Sequence, residues 1–252
     1  MQYTLKKSLG QHFLKDENIS RKIVAALIEH SFKNLLEIGP GAGALTRFLL
    51  PLDAIEFKAI ELDDEKVNYL LHTYPLLKNK LIHKDFLKAE IPFVNNFIVV
   101  GNFPYNISSQ ILFKILEWKE YVPVMIGMFQ KEVAQRIASK PNSKIYGILS
   151  VLVQAFYNVK YLFDVSPSSF NPPPKVMSGV IELVKRTIVP PMKTEKDFFL
   201  LVKTAFNQRR KKLRNAVRNL FSEDILQHEI FDKRAEQLSV DDFAALTFKM
   251  KA

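Results

Sequence analysis

Glu37-Ile38-Gly39-Pro40-Gly41-Ala42-Gly43-Ala44-Leu45-Thr46 is the stretch that decides the fold. Three of the chain's eight glycines fall within five positions here. Leu35 to Ile38 is apolar and short enough for a buried strand, and Ala44 to Leu50 is suited to begin a helix. A strand, a glycine-rich turn and a helix bring backbone N–H groups close to a nucleotide-like ligand.

Gly39-x-Gly41-x-x-Ala44 also satisfies the dinucleotide fingerprint in which Ala replaces the last Gly. Glu61 follows about 20 residues on, at the end of the next apolar run, where a carboxylate can hold two ribose hydroxyls. Nicotinamide dinucleotides and S-adenosylmethionine both carry such a ribose, so the turn by itself leaves both open. A turn that only packs a helix on a sheet would read the same way.

Working outward, short apolar runs recur at Phe57–Leu62, Leu81–Asp85, Phe97–Gly101 and Val122–Phe129. Between most of them lie stretches long enough for a crossover helix, such as Asp64–Tyr74 and Ser108–Lys119. Asp16–Ile28, ahead of the turn, has helical spacing. Strands alternating with helices predict a parallel, doubly wound α/β sheet. Asn158–Val165 and Val176–Lys185 are separated by too few residues for a helical crossover, so the last strands are expected to be antiparallel.

Composition shifts near Arg186. Pro190-Pro191 marks a linker, and beyond it helical signals replace strand signals. Asp197–Leu220 has a helix-like apolar stripe. Ser222 stands where an N-cap is expected, and Ser239-Val240-Asp241-Asp242 resembles a capping box with Asp in place of Glu. The expected division is residues 1–186 as a ligand-binding α/β domain and 187–252 as a small helical domain.

The chain has 252 residues, 36 Lys and Arg against 26 Asp and Glu, and a formal charge of +10. That excess points to a polyanion, with nucleic acid the first candidate. There is no cysteine, which excludes a disulfide framework and thiolate metal sites. Five scattered histidines form no metal-ligand pattern, and no bound metal is expected. No apolar run reaches membrane-span length and the N-terminus lacks a signal-peptide core, so a cytoplasmic location is expected.

Two further motifs extend the glycine turn. At Asp85-Phe86 an acid can accept a hydrogen bond from an adenine amino group and an aromatic can stack on the ring. The same pair would also serve as a helix cap and a core Phe. Asn102-Phe103-Pro104-Tyr105 ends the fourth strand, at the sheet edge where ligands of open parallel sheets bind. The lone pair of a nucleobase amine is delocalised into its ring, which makes it a poor nucleophile. The Asn102 side-chain oxygen and the Phe103 carbonyl can accept from such an amine and favour the geometry in which its lone pair is free. Tyr105 can stack on the base. A dehydrogenase has no use for this quartet.

The quartet resembles the (Asn/Asp)-x-Pro-Tyr signature of amino-group methyltransferases, and the full set resembles the KsgA family of ribosomal RNA adenine dimethyltransferases. The matching segments are Gly10–Leu14, Glu37–Gly43, Glu61–Asp63, Asp85-Phe86, Gly101–Ser108, Gln130–Val133, Pro141–Gly147, Phe170–Ser178 and Leu238–Phe243. The resemblance implies a Rossmann-like class I methyltransferase sheet and S-adenosylmethionine as cofactor. It implies cofactor contacts at His12, Leu14, Gly39, Gly41, Glu61, Asp85, Phe86 and Asn102, and catalysis by Asn102, Phe103, Pro104 and Tyr105. Phe170 matches an aromatic expected to clamp the target adenine with Tyr105. His12 and Phe103 depart from the family's common Asn and Leu. The departure at position 12 leaves open whether its side chain or its backbone meets the cofactor.

The implied reaction is dimethylation of two adjacent adenosines in a hairpin near the 3′ end of small-subunit ribosomal RNA, linked to assembly of the immature small subunit by a monomeric enzyme. A relative acting on large-subunit RNA would share the turn and the quartet, but Phe170–Ser178 and Leu238–Phe243 favour the small subunit. A factor that mainly binds immature subunits is a rival from another class. Lys203, Arg209, Arg210, Lys211, Lys212, Arg214 and Arg218 form a run with no acid. Phosphate contact is its functional reading, and a solvated helix face its structural one.

Overall fold

In the computed structural model, residues 12–251 are described. Gly10 and Gln11 of the first matching segment lie outside the described residues, as do Lys6 and Lys7, which with Lys15 give the N-terminal stretch its basic character. The chain divides into two compact units. One holds the residues up to Ala134 together with Lys160–Lys185; the other holds Gln135–Val159 and the residues from Arg186 onward.

The first part of the chain runs β1 (Phe13–Leu14), α1 (Glu17–Ile28), β2 (Asn34–Ile38), α2 (Thr46–Leu49), β3 (Glu56–Glu61), α3 (Asp64–Thr73), β4 (Leu81–His83), β5 (Ile98–Asn102), α4 (Ser108–Glu117) and β6 (Val124–Gln130). It continues with α5 (Lys131–Ala138), α6 (Ile148–Phe156), β7 (Tyr157–Val165), β8 (Phe170–Asn171) and β9 (Ser178–Lys185). The main sheet has the order β4-β3-β2-β5-β6-β9-β7. Its first five strands are parallel, and β9 runs antiparallel to β6. β2 is buried along its whole length, as are β5 and β6 up to their last residues. That burial explains why these strands read as unbroken apolar runs rather than alternating ones.

Strand order reverses between β2 and β5. The chain steps outward from β2 through β3 to β4, then returns to place β5 on the other side. At such a switch point the loops after the two strands diverge and leave a crevice at their carboxyl ends. The glycine turn and the Asn102 quartet leave the sheet from these two strands.

Local chemistry sets the helix starts. Asp16 accepts from the Asn18 N–H at 3.0 Å and opens α1, and Asp63 accepts from the Glu65 N–H at 3.0 Å and opens α3. Ile23 and Leu27 of α1 join Leu35, Ile98 and Val124 of the sheet in one buried apolar cluster.

Gly101 and Gly127 pair directly across β5 and β6. The Phe103 ring lies over both. A Cβ on Gly101 would stand 2.6 Å from Phe103 Cε1, and one on Gly127 would run into Phe103 Cε2 and approach Phe129 Cε2 to 2.8 Å. Gly127→Ala is therefore expected to destabilise the chain by about 1–3 kcal/mol through overpacking. The urea midpoint reads it, and an unshifted midpoint would mean that the ring has room the structure does not show.

The second unit is helical: α5 in large part, α6, then α7 (Glu195–Asn207), α8 (Leu213–Val217), α9 (Glu223–Leu226) and α10 (Val240–Thr247). Phe198, Leu201, Val202 and Ala205 form the buried stripe of α7 at helical spacing. Its boundary differs from the expected division at 186/187, because Gln135–Val159 belongs to it as well. The reason is α6, whose Leu149, Val151, Leu152, Val153, Ala155 and Phe156 are all buried. A helix apolar on every side needs helical neighbours, and α7 and α10 pack on it.

The single stripe expected over Asp197–Leu220 is broken into α7 and α8 by the turn at 208–212. Lys211 N–H donates to the Gln208 carbonyl, and Leu213 N–H to the Lys233 carbonyl at 2.7 Å. Four consecutive like charges at 209–212 would repel one another along a single helix, and the turn lets Arg209 and Lys212 reach Glu236 and Asp232. The capping box forms as expected, with Ser239 Oγ accepting from Asp242 N–H at 3.0 Å and Asp242 Oδ2 accepting from Ser239 N–H at 2.8 Å. Ser222 stands at the N-cap of α9 but makes no side-chain bond to the backbone there. No helix among the described residues is long and apolar enough to cross a membrane.

Candidate active site

The switch-point crevice is a cavity of about 240 Å³. His12, Phe13 and Leu14, the glycine turn, Glu61-Leu62, Asp85-Phe86 and Asn102 through Ile107 line it. Each acid or amide stands at the carboxyl end of a parallel strand or just past it: Glu61 on β3, Asp85 after β4, Asn102 on β5.

Gly39, Gly41 and Gly43 all have positive φ, at 66°, 57° and 82°. A side chain would strain each of them. At Gly43 a Cβ would also stand 2.5 Å from the Tyr74 ring. The Gly41 N–H donates to Glu61 Oε2 at 3.0 Å, while Glu61 Oε1 accepts from the N–H groups of Leu62 and Asp63 at 2.9 and 3.0 Å. Three backbone donors thus orient the Glu61 carboxylate, and about one of its four acceptor positions remains for a ligand hydroxyl. This backbone anchoring of Glu61 has no counterpart in the sequence pattern.

Asp85 and Phe86 combine both expected readings. Asp85 Oδ1 caps the following turn through the Leu87 N–H at 2.9 Å, and the residue also lines the cavity. Phe86 lines it too, with its ring edge-on to Trp118 at 5.2 Å between centroids.

Asn102 Nδ2 donates to the His12 carbonyl at 3.2 Å. A carbonyl only accepts, so the amide orientation is settled and Oδ1 is the end left for a ligand. The His12 ring Nδ1 meets the Pro172 carbonyl at 2.9 Å, so Nδ1 carries the proton. Both the backbone and the ring of His12 are therefore engaged within the protein.

The Tyr105 hydroxyl bonds Ser178 Oγ at 2.6 Å, and its ring lies 5.6 Å from that of His12. Burial pushes the phenol above its ordinary range, against the opposing hydrogen bond from Ser178. Ser108 Oγ donates to the Tyr105 carbonyl at 3.1 Å and pins the turn that presents the ring.

Glu37 is a site residue that sequence reasoning treated only as part of the glycine motif. It lines the cavity at 1% exposure and accepts from Thr46 Oγ1 at 2.7 Å. Burial pushes its carboxyl up to about 8, the Thr46 bond opposes this, and the Glu61 charge adds to it. The available signal was an acid between the apolar Leu35, Leu36 and Ile38 of β2. Glu61 and Asp85, with Lys84 among the described lining residues, put carboxylates around apolar Ile38, Leu62, Phe86 and Ile111, and Glu37 adds a carboxyl that holds its proton near neutral pH. Such a lining suits a ligand that joins a flat ring to a positive charge, which is the chemistry of S-adenosylmethionine.

Phe170, expected to face Tyr105, does not line the cavity. It pairs with Leu14 across β1 and β8, is 1% exposed, and belongs to the same apolar cluster as Leu14 and Val165. An aromatic ring ahead of three prolines is equally suited to a core, and strand pairing with β1 places it there.

The cations of the run from Lys203 to Arg218 differ in what they meet. Arg209 pairs with Glu236 at 2.6 Å, and Lys212 and Arg214 both pair with Asp232 at 2.7 Å. Lys203 lies over the Phe199 ring at 5.9 Å. Arg210, Lys211 and Arg218 are exposed.

A family model described as ribosomal RNA adenine dimethylase matches residues 2–250. Curated relatives called ribosomal RNA small subunit methyltransferase A are 52% identical in Cytophaga hutchinsonii and 53% identical in Flavobacterium johnsoniae. The alignments cover 96% and 98% of this chain and 95% and 96% of those proteins. A solved dimethyladenosine transferase from Plasmodium falciparum is 28% identical over 92% of this chain and 94% of its own, with a TM-score of 0.75. The 23S rRNA methyltransferase ErmE shares the fold at a TM-score of 0.71 and 23% identity, over 94% of this chain and 99% of its own. Glycine turn, Asn-Phe-Pro-Tyr quartet and near full-length matches agree: the chain belongs to the ribosomal RNA adenine dimethylase family.

Proposed function

We propose that the chain dimethylates the exocyclic amines of adenosines in small-subunit ribosomal RNA, within an immature small subunit, using S-adenosylmethionine. The observation that carries this reading is the settled amide of Asn102. With Nδ2 on the His12 carbonyl, Oδ1 is the acceptor end of an amide whose residue lines the cavity together with Phe103 and Tyr105.

When bound, S-adenosylmethionine supplies an electrophilic methyl group on a sulfonium. Gly39, Gly41, Glu61 and Asp85 would hold its nucleoside, and the Glu61 and Asp85 carboxylates would favour its positive charge. The target adenine leaves its stack and lies against Tyr105, which repays part of the lost stacking. Asn102 Oδ1 and the Phe103 carbonyl accept from the two amine hydrogens and turn the nitrogen lone pair toward the methyl carbon. The group would supply its methyl and be left as the neutral thioether, and the proton lost from the amine nitrogen would leave to solvent. Acceleration comes from positioning and from stabilising charge on nitrogen, with no strong base required.

Ser178 keeps the Tyr105 ring in place. Ser178→Ala is expected to lower turnover about tenfold or more while leaving cofactor affinity intact, because a displaced ring misplaces the amine. Ser178→Thr should restore turnover; a Thr variant no better than Ala would remove the hydroxyl pair as the cause.

The test of the function is incubation with labelled S-adenosylmethionine and separated ribosomal subunits from a strain lacking the modification. Dimethyladenosine in small-subunit RNA alone is the expected product. Label in the large subunit would shift the target, and no label despite cofactor binding would leave subunit binding as the main role.

A further inference from the structure

Lys66 breaks two rules of its place in α3. It stands in the first turn, where the helix dipole favours acids over cations, and it shares the buried face of the helix with Val67 and Leu70. Among the described residues no other lysine or arginine is buried, and Lys66 is 0% exposed. A charged side chain at a core position costs stability unless its surroundings make use of the charge. Here the ammonium lies over the Phe13 ring, 5.0 Å from its centroid. The same ring rests on the glycine turn, so that a Cβ on Gly41 would stand 2.9 Å from Phe13 Cε1. Gly41 is also the residue whose N–H donates to Glu61 Oε2. Phe13 lines the cavity, and its neighbour His12 supplies the carbonyl that meets the Asn102 amide.

We infer that Lys66 is a positioning residue for the cofactor: its ammonium holds the Phe13 ring down on the glycine turn, and the held ring closes the cavity beside Gly41 and Glu61. The inference rests on S-adenosylmethionine as the proposed cofactor, whose nucleoside would lie there. A cation over an aromatic face is attracted to it, and more strongly away from water. The strand that carries Phe13 gives the ring little hold of its own. β1 pairs with β8 over two residues, Phe13 opposite Asn171 and Leu14 opposite Phe170. Successive strand residues point to opposite sides, and the apolar cluster that takes in Leu14 does not include Phe13. Lys66 supplies a hold from the other side. A ring already in place spares the ligand the cost of ordering it, and that saving appears as affinity.

The experiment compares Lys66→Met, Lys66→Arg, Phe13→Leu and the double variant of Lys66→Met with Phe13→Leu, all in the full chain. Calorimetry reads affinity for S-adenosylmethionine and S-adenosylhomocysteine, urea unfolding reads the midpoint, and amide exchange across 12–15 is followed without cofactor. Lys66→Met is expected to weaken both ligands alike, by about 3–30-fold, and to speed exchange across 12–15. Its urea midpoint should hold or rise, because a buried charge gives way to an apolar chain of similar length. Lys66→Arg keeps a cation for the ring and should recover part of the affinity. Phe13→Leu should weaken binding, with no further loss when Lys66→Met is added. Unchanged affinity with a lowered midpoint would make Lys66 a part of the core alone. Tighter S-adenosylmethionine with S-adenosylhomocysteine unchanged would make it a charge near the cavity, and additive losses would separate it from the ring. A parent protein that binds neither ligand, with exchange responding as expected, would overturn S-adenosylmethionine as the cofactor and leave the hold on Phe13 standing.

Discussion

Asn102→Ala is expected to lower the methyl-transfer rate by about 10²–10³-fold, the scale on which a single preorganised polar group acts on developing charge. The effect falls on kcat, because the contact strengthens as positive charge grows on the amine nitrogen and is weak in the ground state. Affinity for S-adenosylhomocysteine, measured by calorimetry, should change far less. Ala also removes the bond from Nδ2 to the His12 carbonyl. A second variant separates the two losses: Asn102→Asp retains an acceptor toward the cavity while placing a carboxylate against that carbonyl. Ala slow and Asp intermediate is the expected order. Turnover of Ala within about threefold of the parent would rule out the amide as a transition-state contact.

The second large effect belongs to Glu37 and appears in the pH dependence of stability. Its carboxyl rises from its ordinary 4.5 to about 8 in the folded chain, chiefly through burial. Between these values the folded state holds a proton that the unfolded state has released. Stability from this group is therefore complete below pH 4.5 and is lost as pH rises through about 8. At roughly 1.4 kcal/mol per unit, the loss between pH 5 and 9 is at most about 4 kcal/mol. Glu37→Gln keeps the shape and lacks the proton, so its unfolding free energy should be flat relative to the parent across that window. Parallel curves for the two proteins would mean that Glu37 is ionised in the fold. The depressed carboxylates Glu120, Asp164, Asp224 and Asp232 are exposed or nearly so, and they act with the opposite sign at acid pH. The same proton reports on the ligand. A cation entering the cavity favours the Glu37 carboxylate. Binding of S-adenosylmethionine near neutral pH should therefore release more protons than binding of S-adenosylhomocysteine, which lacks the sulfonium charge.

Much of the fold was legible because its strands are buried on both faces. Leu35–Gly39 and Phe97–Gly101 read as apolar runs and appear, within a residue, as β2 and β5. The short link between Asn158–Val165 and Val176–Lys185 pointed to antiparallel strands at the end of the sheet, and β9 runs antiparallel to β6, a partner that the spacing did not name. The Gly39–Gly43 turn and the Asn102 quartet are local patterns, and each sits on the cavity its spacing implied. Less legible were features whose cause lies far away in the chain. Phe170 had an aromatic's two options, and pairing with Leu14 chose the core. Arg209 looked like its neighbours Arg210 and Lys211 until Glu236 claimed it. Gln135–Val159 carried no boundary signal, and only the all-round burial of α6 assigns it to the helical unit.

Sequence alone therefore determined the succession of strands and helices along the first part of the chain, the glycine turn, and the kind of chemistry offered at the strand ends. These depend on backbone sterics and hydrophobic periodicity, which act over a few residues. Tertiary structure decided which of those groups are free to act. It ties Glu61 to the backbone of the glycine turn, keeps a proton on Glu37, turns the Asn102 amide and spends Arg209 on Glu236. A side chain's charge state and free hydrogen-bonding capacity are set by the groups that surround it, and those come from residues tens to a hundred positions away.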